Sequence, residues 1–397
     1  MRAHWIVAVC LFATPARAAP PDVVGQIDRL VRAGFYAPAQ LAARGWDDAV
    51  REARAAQGTR AALARLVARL GASHTEYIAA DDPRFAQILA IFEGILPTAK
   101  DRCPDLSKLP ALPVEAWDAG VWWRWIDGAW FVGGVLDDSP AARAGLVLGD
   151  EVVRGEGAPF QPVASLAGKR ATLAVRRVRG GALRRVVVEP RRVRPQEAFR
   201  AAIGASARIV ARGARRIAYV RVWSWAGLEM QDALEEAIDQ LNASAPDGWV
   251  IDLRDGWGGA SPDYLRIFDR HVPVLAFADR DGKGGRVDRH LHAPAVVLIN
   301  GGSRSGKEVV AYGVKKWKLA TLVGERTAGA VLAGGIYCLD DGGLLYLASG
   351  GVTVDGEVLE GKGVEPDVRV AFDLRYAAGK DPQLEAALDE AARGAAR

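Results

Sequence analysis

The sequence predicts a multidomain chain of three parts: a helical N-terminal region, a small β-rich domain and a C-terminal α/β domain. Three observations carry this. Apolar residues repeat at helical spacing through the first hundred residues. Short apolar runs broken by Gly, Pro, Asp and Ser fill the middle. From Arg216 onward, strand-like and helix-like segments alternate, as in βαβ units.

Before the first part, Met1–Ala18 has the pattern of a secretory signal. Arg2 supplies the positive start, Trp5–Ala13 the apolar stretch, and Ala16-Arg17-Ala18 the small-x-small cleavage site. Cys10 follows Val9 inside the apolar stretch, which does not fit a lipoprotein anchor. No later stretch is apolar for long enough to span a bilayer. The expectation is an exported protein without a membrane anchor, periplasmic or extracellular after cleavage near Ala18. Export permits a disulfide between Cys103 and Cys338, although spacing alone cannot bring two cysteines within bonding range. No Cys/His cluster has zinc spacing, so no metal is expected, and no cofactor is called for. The formal charge of +4 is weak and scattered, and gives no ground for a nucleic-acid partner.

Residues 19–98 form the helical region. Val23, Val24, Ile27, Leu30 and Val31 share one helix face, and Ala61, Leu63, Leu66, Val67 and Leu70 share another. Gly71 offers a helix stop, followed at once by Ser73-His74-Thr75. A lone histidine is most often a surface or satisfied core residue. His74 differs in following a helix end between two hydroxyl residues. Residues 99–114, with Pro104, Pro110 and Pro113, read as a linker.

Residues 115–195 form the β-rich domain. A strand through Trp130–Leu136, a short helix opened by Ser139-Pro140, a glycine turn and a strand at Glu151-Val152-Val153 follow in order. The run from Ser139-Pro140-Ala141-Ala142 to Gly149-Asp150-Glu151-Val152 resembles a PDZ domain, a module that binds extended peptide ends by strand addition. Trp122, Trp123 and Trp125 either line such a groove or fill the core.

Residues 196–397 form the α/β domain. Strands are expected at Ile217–Val222, Trp249–Leu253, Ala295–Ile299 and Ala320–Val323, with helices at Gly227–Asn242 and from near Lys307. The strand at Trp249–Leu253 ends in Arg254-Asp255-Gly256-Trp257-Gly258-Gly259, where the glycines allow close backbone approach. Ala295–Ile299 breaks at Asn300-Gly301-Gly302, so Ser303 and Ser305 stand where a strand hands over to a helix N-terminus. Unpaired N–H groups there suit an oxyanion site beside a nucleophile. A phosphate loop is a second reading, because Gly301-x-x-x-x-Gly306-Lys307 has most of the Walker spacing. The next residue is Glu308 and not the Ser or Thr that holds magnesium. An ordinary Gly/Ser turn without chemistry is the third.

Taken together, Ser73-His74-Thr75, the PDZ-like run, Asp252-Leu253-Arg254-Asp255-Gly256-Trp257-Gly258-Gly259, the Asn300–Glu308 turn, Leu322-Val323-Gly324-Glu325-Arg326-Thr327-Ala328-Gly329 and Glu360-Gly361-Lys362-Gly363-Val364-Glu365 resemble the tail-specific and tricorn-type serine peptidases, in that family's order. The resemblance implies a ClpP/crotonase-like α/β catalytic domain. In the tail-specific branch a lysine follows the Gly-Glu-Arg-Thr motif, and this chain has Ala330 there. In the tricorn-like branch a histidine serves instead. The resemblance therefore implies Ser305 as nucleophile, His74 as general base, Glu360 as orienting acid, Ser73 as a bridge between base and acid, and the N–H groups of Gly258 and Gly306 as oxyanion donors. Lys307, next to this centre, is expected either to tune substrate charge or to be solvated. Glu308 is expected as a helix N-terminal charge or an alternative acid. All five histidines precede Ser305, which rules out the Ser…Asp…His order of α/β-hydrolases. His271, His290 and His292, in a Gly- and charge-rich stretch, are expected at the surface. The function implied is an exported serine endopeptidase acting on unstructured peptides or protein tails. The alternative is an inactive peptide-binding protein on the same fold. Nothing in the sequence speaks to oligomeric state.

Overall fold

The computed structural model describes residues 21–269 and 271–395. The expected signal segment Met1–Ala18 lies outside the described residues. The molecule is built on a six-stranded sheet in the order Arg208–Arg212, Arg215–Arg221, Gly248–Asp252, Ala295–Ile299, Thr321–Gly324, Val368–Arg369. The first two strands form an antiparallel hairpin, and the remaining neighbours run parallel. All residues of Ala295–Ile299 are buried, because alternate side chains serve two different cores. Ala295, Val297 and Ile299 face the layer holding helices Pro195–Ser206 and Leu228–Asn242. Val296 and Leu298 face Ala387, Leu388 and Ala391 of the C-terminal helix Pro382–Gly394. A continuous β-branched run is what a strand covered on both faces requires. This strand has its expected limits, and its neighbours differ from expectation by a residue or two.

The parallel strands all point their carboxyl ends the same way, the side where open parallel sheets carry their sites. Trp223–Ala226, Asp255–Gly259, Asn300–Ser305 and Glu325–Ala330 lie beyond those ends.

The N-terminal region is helical over Val23–Gly34, Trp46–Ala55, Arg60–Ala68 and Phe85–Phe92. It is neither wholly helical nor separate. Glu76–Ile78 is a strand that pairs antiparallel with Leu344–Gly350, which in turn pairs with Ala333–Cys338. Helices Val23–Gly34 and Arg60–Ala68 place Ile27, Val31, Leu63 and Leu66 in one core with Leu345 and Leu347 of that small sheet. The sheet completes the apolar surface on which these amphipathic helices bury their faces.

Residues 99–114 are not a free linker. Cys103, Leu109 and Val114 are buried, and Cys103 is disulfide-bonded to Cys338. The prolines shape turns here, but apolar anchors hold the segment down.

The β-rich unit closes where Ala116–Asp118 pairs with Arg191–Val193. Its sheet runs Val121–Ile126, Ala129–Val135, Glu151–Gly155, Ala171–Arg176, Leu183–Val188, around its own core of Val132, Leu146, Val152, Leu173 and Val175. Ser139 caps the short helix Pro140–Arg143 by accepting from the Ala142 N–H at 3.2 Å. The three tryptophans divide. Trp123 packs on Phe160, Trp125 is 59% exposed beside Trp130, and Trp122 leaves the unit to pack on Trp223 and Trp257 of the α/β region. Among the described residues no helix is long and apolar enough to cross a membrane.

Candidate active site

Ser305 sits at the N-terminus of helix Gly306–Lys316 with φ 57° and ψ −128°. A positive φ costs a non-glycine residue roughly 1–3 kcal/mol, and it persists only where the surroundings hold it. Here the Ser305 N–H donates to the Ala330 carbonyl at 2.8 Å and to Glu308 Oε2 at 3.2 Å. Glu308 is fully buried and also accepts from Thr327 Oγ1 and from the N–H groups of Gly329 and Ala330. Burial pushes its carboxyl up, while these donors pull it back. Its oxygens are taken up in pinning the nucleophile turn to the Thr327–Ala330 loop.

Ser303, the other candidate nucleophile, is fully buried. Its hydroxyl donates to the Leu253 carbonyl at 2.9 Å and accepts from the Asn300 N–H at 3.0 Å. It stitches two strand ends together and does not face a cavity.

His74 follows the helix stop at Gly71, adopts φ 52° and is 4% exposed, with its ring against the edge of Tyr346. Its Nδ1 lies 3.0 Å from Ser73 Oγ, which lies 2.8 Å from Glu360 Oε2. Glu360 also accepts from the N–H groups of Ser73 (3.0 Å) and Val331 (2.9 Å). A hydroxyl has one proton to give, and the carboxylate can only accept. Ser73 therefore donates to Glu360 and accepts from Nδ1–H, so the proton of a neutral imidazole sits on Nδ1 and the lone pair on Nε2. Burial, with a smaller push from the Arg304 charge, brings His74 down to about 3 and keeps it neutral near neutral pH.

His74 and Ser305 line one cavity of about 310 Å³, whose other walls include Ile88, Ile91, Phe92, Leu332 and Tyr346. No hydrogen bond joins the two residues in this state. The cavity also contains Gly258 and Gly259, and a wide groove of about 890 Å³ lies beside it, running past His74 and Arg304 to Trp122–Ile126 of the β-rich unit.

Gly258 has no room for a side chain. A Cβ there would meet the Arg304 carbonyl and Ser305 Cβ at 2.6 Å and Gly306 N at 2.9 Å. The Gly258 and Gly306 backbones thus flank Ser305, and neither N–H makes a hydrogen bond among the described residues. Two free N–H groups beside a hydroxyl can take a developing oxyanion.

Lys307 departs from both expectations, since its side chain is neither solvated nor among the walls of the groove or the cavity. It is fully buried, and its Nζ donates to the carbonyls of Val222 (2.7 Å), Trp223 (3.2 Å) and Asp255 (2.6 Å). Burial pulls it down to about 7. Ala330 touches Ser305 through the backbone bond above and presents only a methyl group, so no ammonium can act from that position. Among the three other described histidines, the side chain of His271 is 97% exposed and His292 pairs with Asp288 at the surface. Arg304, Trp257 and Tyr346 also wall the site. Nothing in the sequence marks Tyr346, which reaches His74 only because Leu344–Gly350 pairs with Glu76–Ile78.

The chain is 30% identical over 254 residues to carboxyl-terminal-processing peptidase 1, chloroplastic, of Arabidopsis thaliana, covering 59% of this chain and 51% of that protein. It is 27% identical over 258 residues to a carboxy-terminal-processing protease of Bartonella bacilliformis, covering 60% and 58%. The chain spans about half the length of the curated relatives it matches. Its fold is similar to that of the tricorn protease, with a TM-score of 0.51 at 16% identity over 95% of this chain and 37% of that one. Residues 216–370 match the model of Peptidase family S41.

Proposed function

We propose that this chain is an exported serine endopeptidase that cleaves unstructured peptides or protein tails through an acyl-enzyme on Ser305. The observation that carries the reading is the hydrogen-bonded series Glu360–Ser73–His74 ending at the cavity that Ser305 lines. In the proposed reaction His74 Nε2 takes the Ser305 proton as Oγ attacks the peptide carbonyl carbon. Glu360, acting through Ser73, holds the ring and stabilises the imidazolium. The N–H groups of Gly258 and Gly306 receive the oxyanion. His74 then gives its proton to the leaving amine, and a water molecule, activated in the same way, hydrolyses the ester. Export is supported by the pattern of Met1–Ala18. A preference for tails is supported by the names of the relatives, and peptide docking by the PDZ-like run in the β-rich unit. No metal or cofactor is part of the proposed mechanism.

A second reading, an inactive peptide-binding protein, is favoured by one observation, the missing hydrogen bond between His74 and Ser305. Such bonds often tighten only when substrate arrives. Labelling with a fluorophosphonate probe and peptide mapping separates the two. The expected adduct is on Ser305, lost in Ser305→Ala, slowed by about 10⁶-fold in His74→Ala and by about 10⁴-fold in Glu360→Ala. An adduct on Ser303 would move the centre. A folded protein that neither labels nor cleaves, with or without added peptide, would favour the binding reading.

A further inference from the structure

Four arginines line the wide groove beside the candidate site: Arg60, Arg84, Arg124 and Arg304. Three have close carboxylate partners. Arg60 pairs with Asp81, Arg84 with Glu76 and Asp82, and Arg124 with Asp255. Arg304 differs. Its side chain is 19% exposed, yet its guanidinium makes no hydrogen bond among the described residues. Its nearest carboxylate oxygen is Glu76 Oε1 at 3.7 Å, beyond hydrogen-bond range, and Glu76 already receives Arg84 at 2.7 Å. The guanidinium carbon stands 5.9 Å from the centre of the Trp257 ring. Arg304 is one residue from Ser305 and lines both the groove and the cavity shared by Ser305 and His74. A largely desolvated cation with an unfilled fork of donors, at the junction of groove and cavity, fits a planar bidentate anion.

We propose that Arg304 binds a carboxylate of the peptide substrate next to the scissile bond, making this chain selective for cuts beside an acidic residue or beside a free C-terminus. The proposal rests on the peptidase reading above and names the substrate chemistry of that site. A carboxylate seated there also offsets the Arg304 charge, which disfavours a proton on His74. The correct substrate thereby eases formation of the imidazolium as Ser305 attacks.

An unstructured peptide library is digested first, and cut sites are mapped by mass spectrometry. Matched substrates are then built on one observed site. One pair carries Glu or Gln beside the cut, and the other carries a free or amidated C-terminus close behind it. The readout is the ratio of kcat/KM within each pair, which cancels any general damage from a substitution. Wild type is expected to prefer the carboxylate member of one pair by about 10- to 100-fold. Arg304→Gln brings that ratio to parity, and Arg304→Lys keeps part of it. The pair that responds identifies the side chain or the terminus as the source. Equal cleavage within both pairs by wild type, or a preference unchanged in Arg304→Gln, overturns the proposal while leaving the peptidase reading intact. A wild type that neither cleaves nor takes fluorophosphonate on Ser305 removes the peptidase reading, and this proposal with it.

Discussion

His74 is buried, bonded through Ser73 to a carboxylate, and close enough to Arg304 to feel its charge. These influences do not all pull the same way. Burial and Arg304 disfavour the protonated ring, while Glu360 favours it from one hydroxyl away. The first two dominate in the free protein and bring His74 down to about 3 from the ordinary 6.5. A base must be unprotonated to act, and a lowered value leaves it unprotonated further into acid. The acid limb of kcat/KM is therefore expected well below pH 6.5, measured on any cleavable peptide over the range in which the protein stays folded. A limb at or above the ordinary histidine value would contradict this assignment of the base. Ser303 illustrates the opposite outcome for a polar residue. Its one hydroxyl proton is given to the Leu253 carbonyl, its oxygen accepts from the Asn300 N–H, and the residue is fully buried, so it is held as a structural bridge.

At the scale of elements, the helix Gly306–Lys316 is fastened to its surroundings by two buried charges of opposite sign. Glu308 gathers donors from the Thr327–Ala330 loop, and Lys307 gathers the carbonyls beyond the strands Arg215–Arg221 and Gly248–Asp252. Each charge is matched by polar groups close to the site, which offsets the cost of burying it. Lys307→Met should leave three carbonyls without that donor and lower stability by roughly 1–3 kcal/mol, read from urea unfolding. The same lysine predicts a pH slope. Its native value of about 7 lies below the unfolded 10.5, so between those limits the unfolded chain holds a proton that the native chain lacks. Stability from this group therefore rises with pH across that window and is flat below it, by up to about 1.4 kcal/mol per unit. Lys307→Met should abolish that contribution, and an identical slope in the two proteins would rule it out.

At the scale of the whole molecule, the candidate site exists only where distant segments meet. His74 arrives on the segment leading into Glu76–Ile78, which is held by pairing with Leu344–Gly350. Glu360 arrives on a loop locked to Gly329 through the Gly361 N–H at 2.9 Å. The Cys103–Cys338 disulfide clasps the same layer, joining the segment after the N-terminal helices to the strand Ala333–Cys338 across a sequence separation of 235 residues. Loop closure on that scale mainly restrains the unfolded chain. The double change Cys103→Ser with Cys338→Ser is expected to cost about 2–4 kcal/mol, seen as a lower urea midpoint. An unchanged midpoint would mean that the layer is held by packing alone.

Much of this molecule could be read locally. Ala295–Ile299 was legible to the residue, because an unbroken β-branched run ended by Asn300-Gly301-Gly302 leaves few alternatives to a buried strand and a turn. The first helix was visible in its apolar spacing, and the strand-to-helix handover at Ser305 in its turn residues. What local pattern cannot encode is which distant groups become neighbours. Prolines made residues 99–114 look like a linker, whereas Cys103, Leu109 and Val114 bury themselves against elements far along the chain. Lys307 was expected to tune substrate charge or to be solvated, whereas the folded chain surrounds it with carbonyls 52 to 85 residues earlier. The grouping of Ser73, His74 and Glu360 came from motif resemblance, not from spacing, and only the folded chain supplies the distances among them. By itself the sequence determined the periodicity, the turns and the residue types, since those follow from backbone and side-chain chemistry close along the chain. Burial, charge pairing and the lone-pair direction of His74 were decided by tertiary structure, because each depends on the environment that remote segments create.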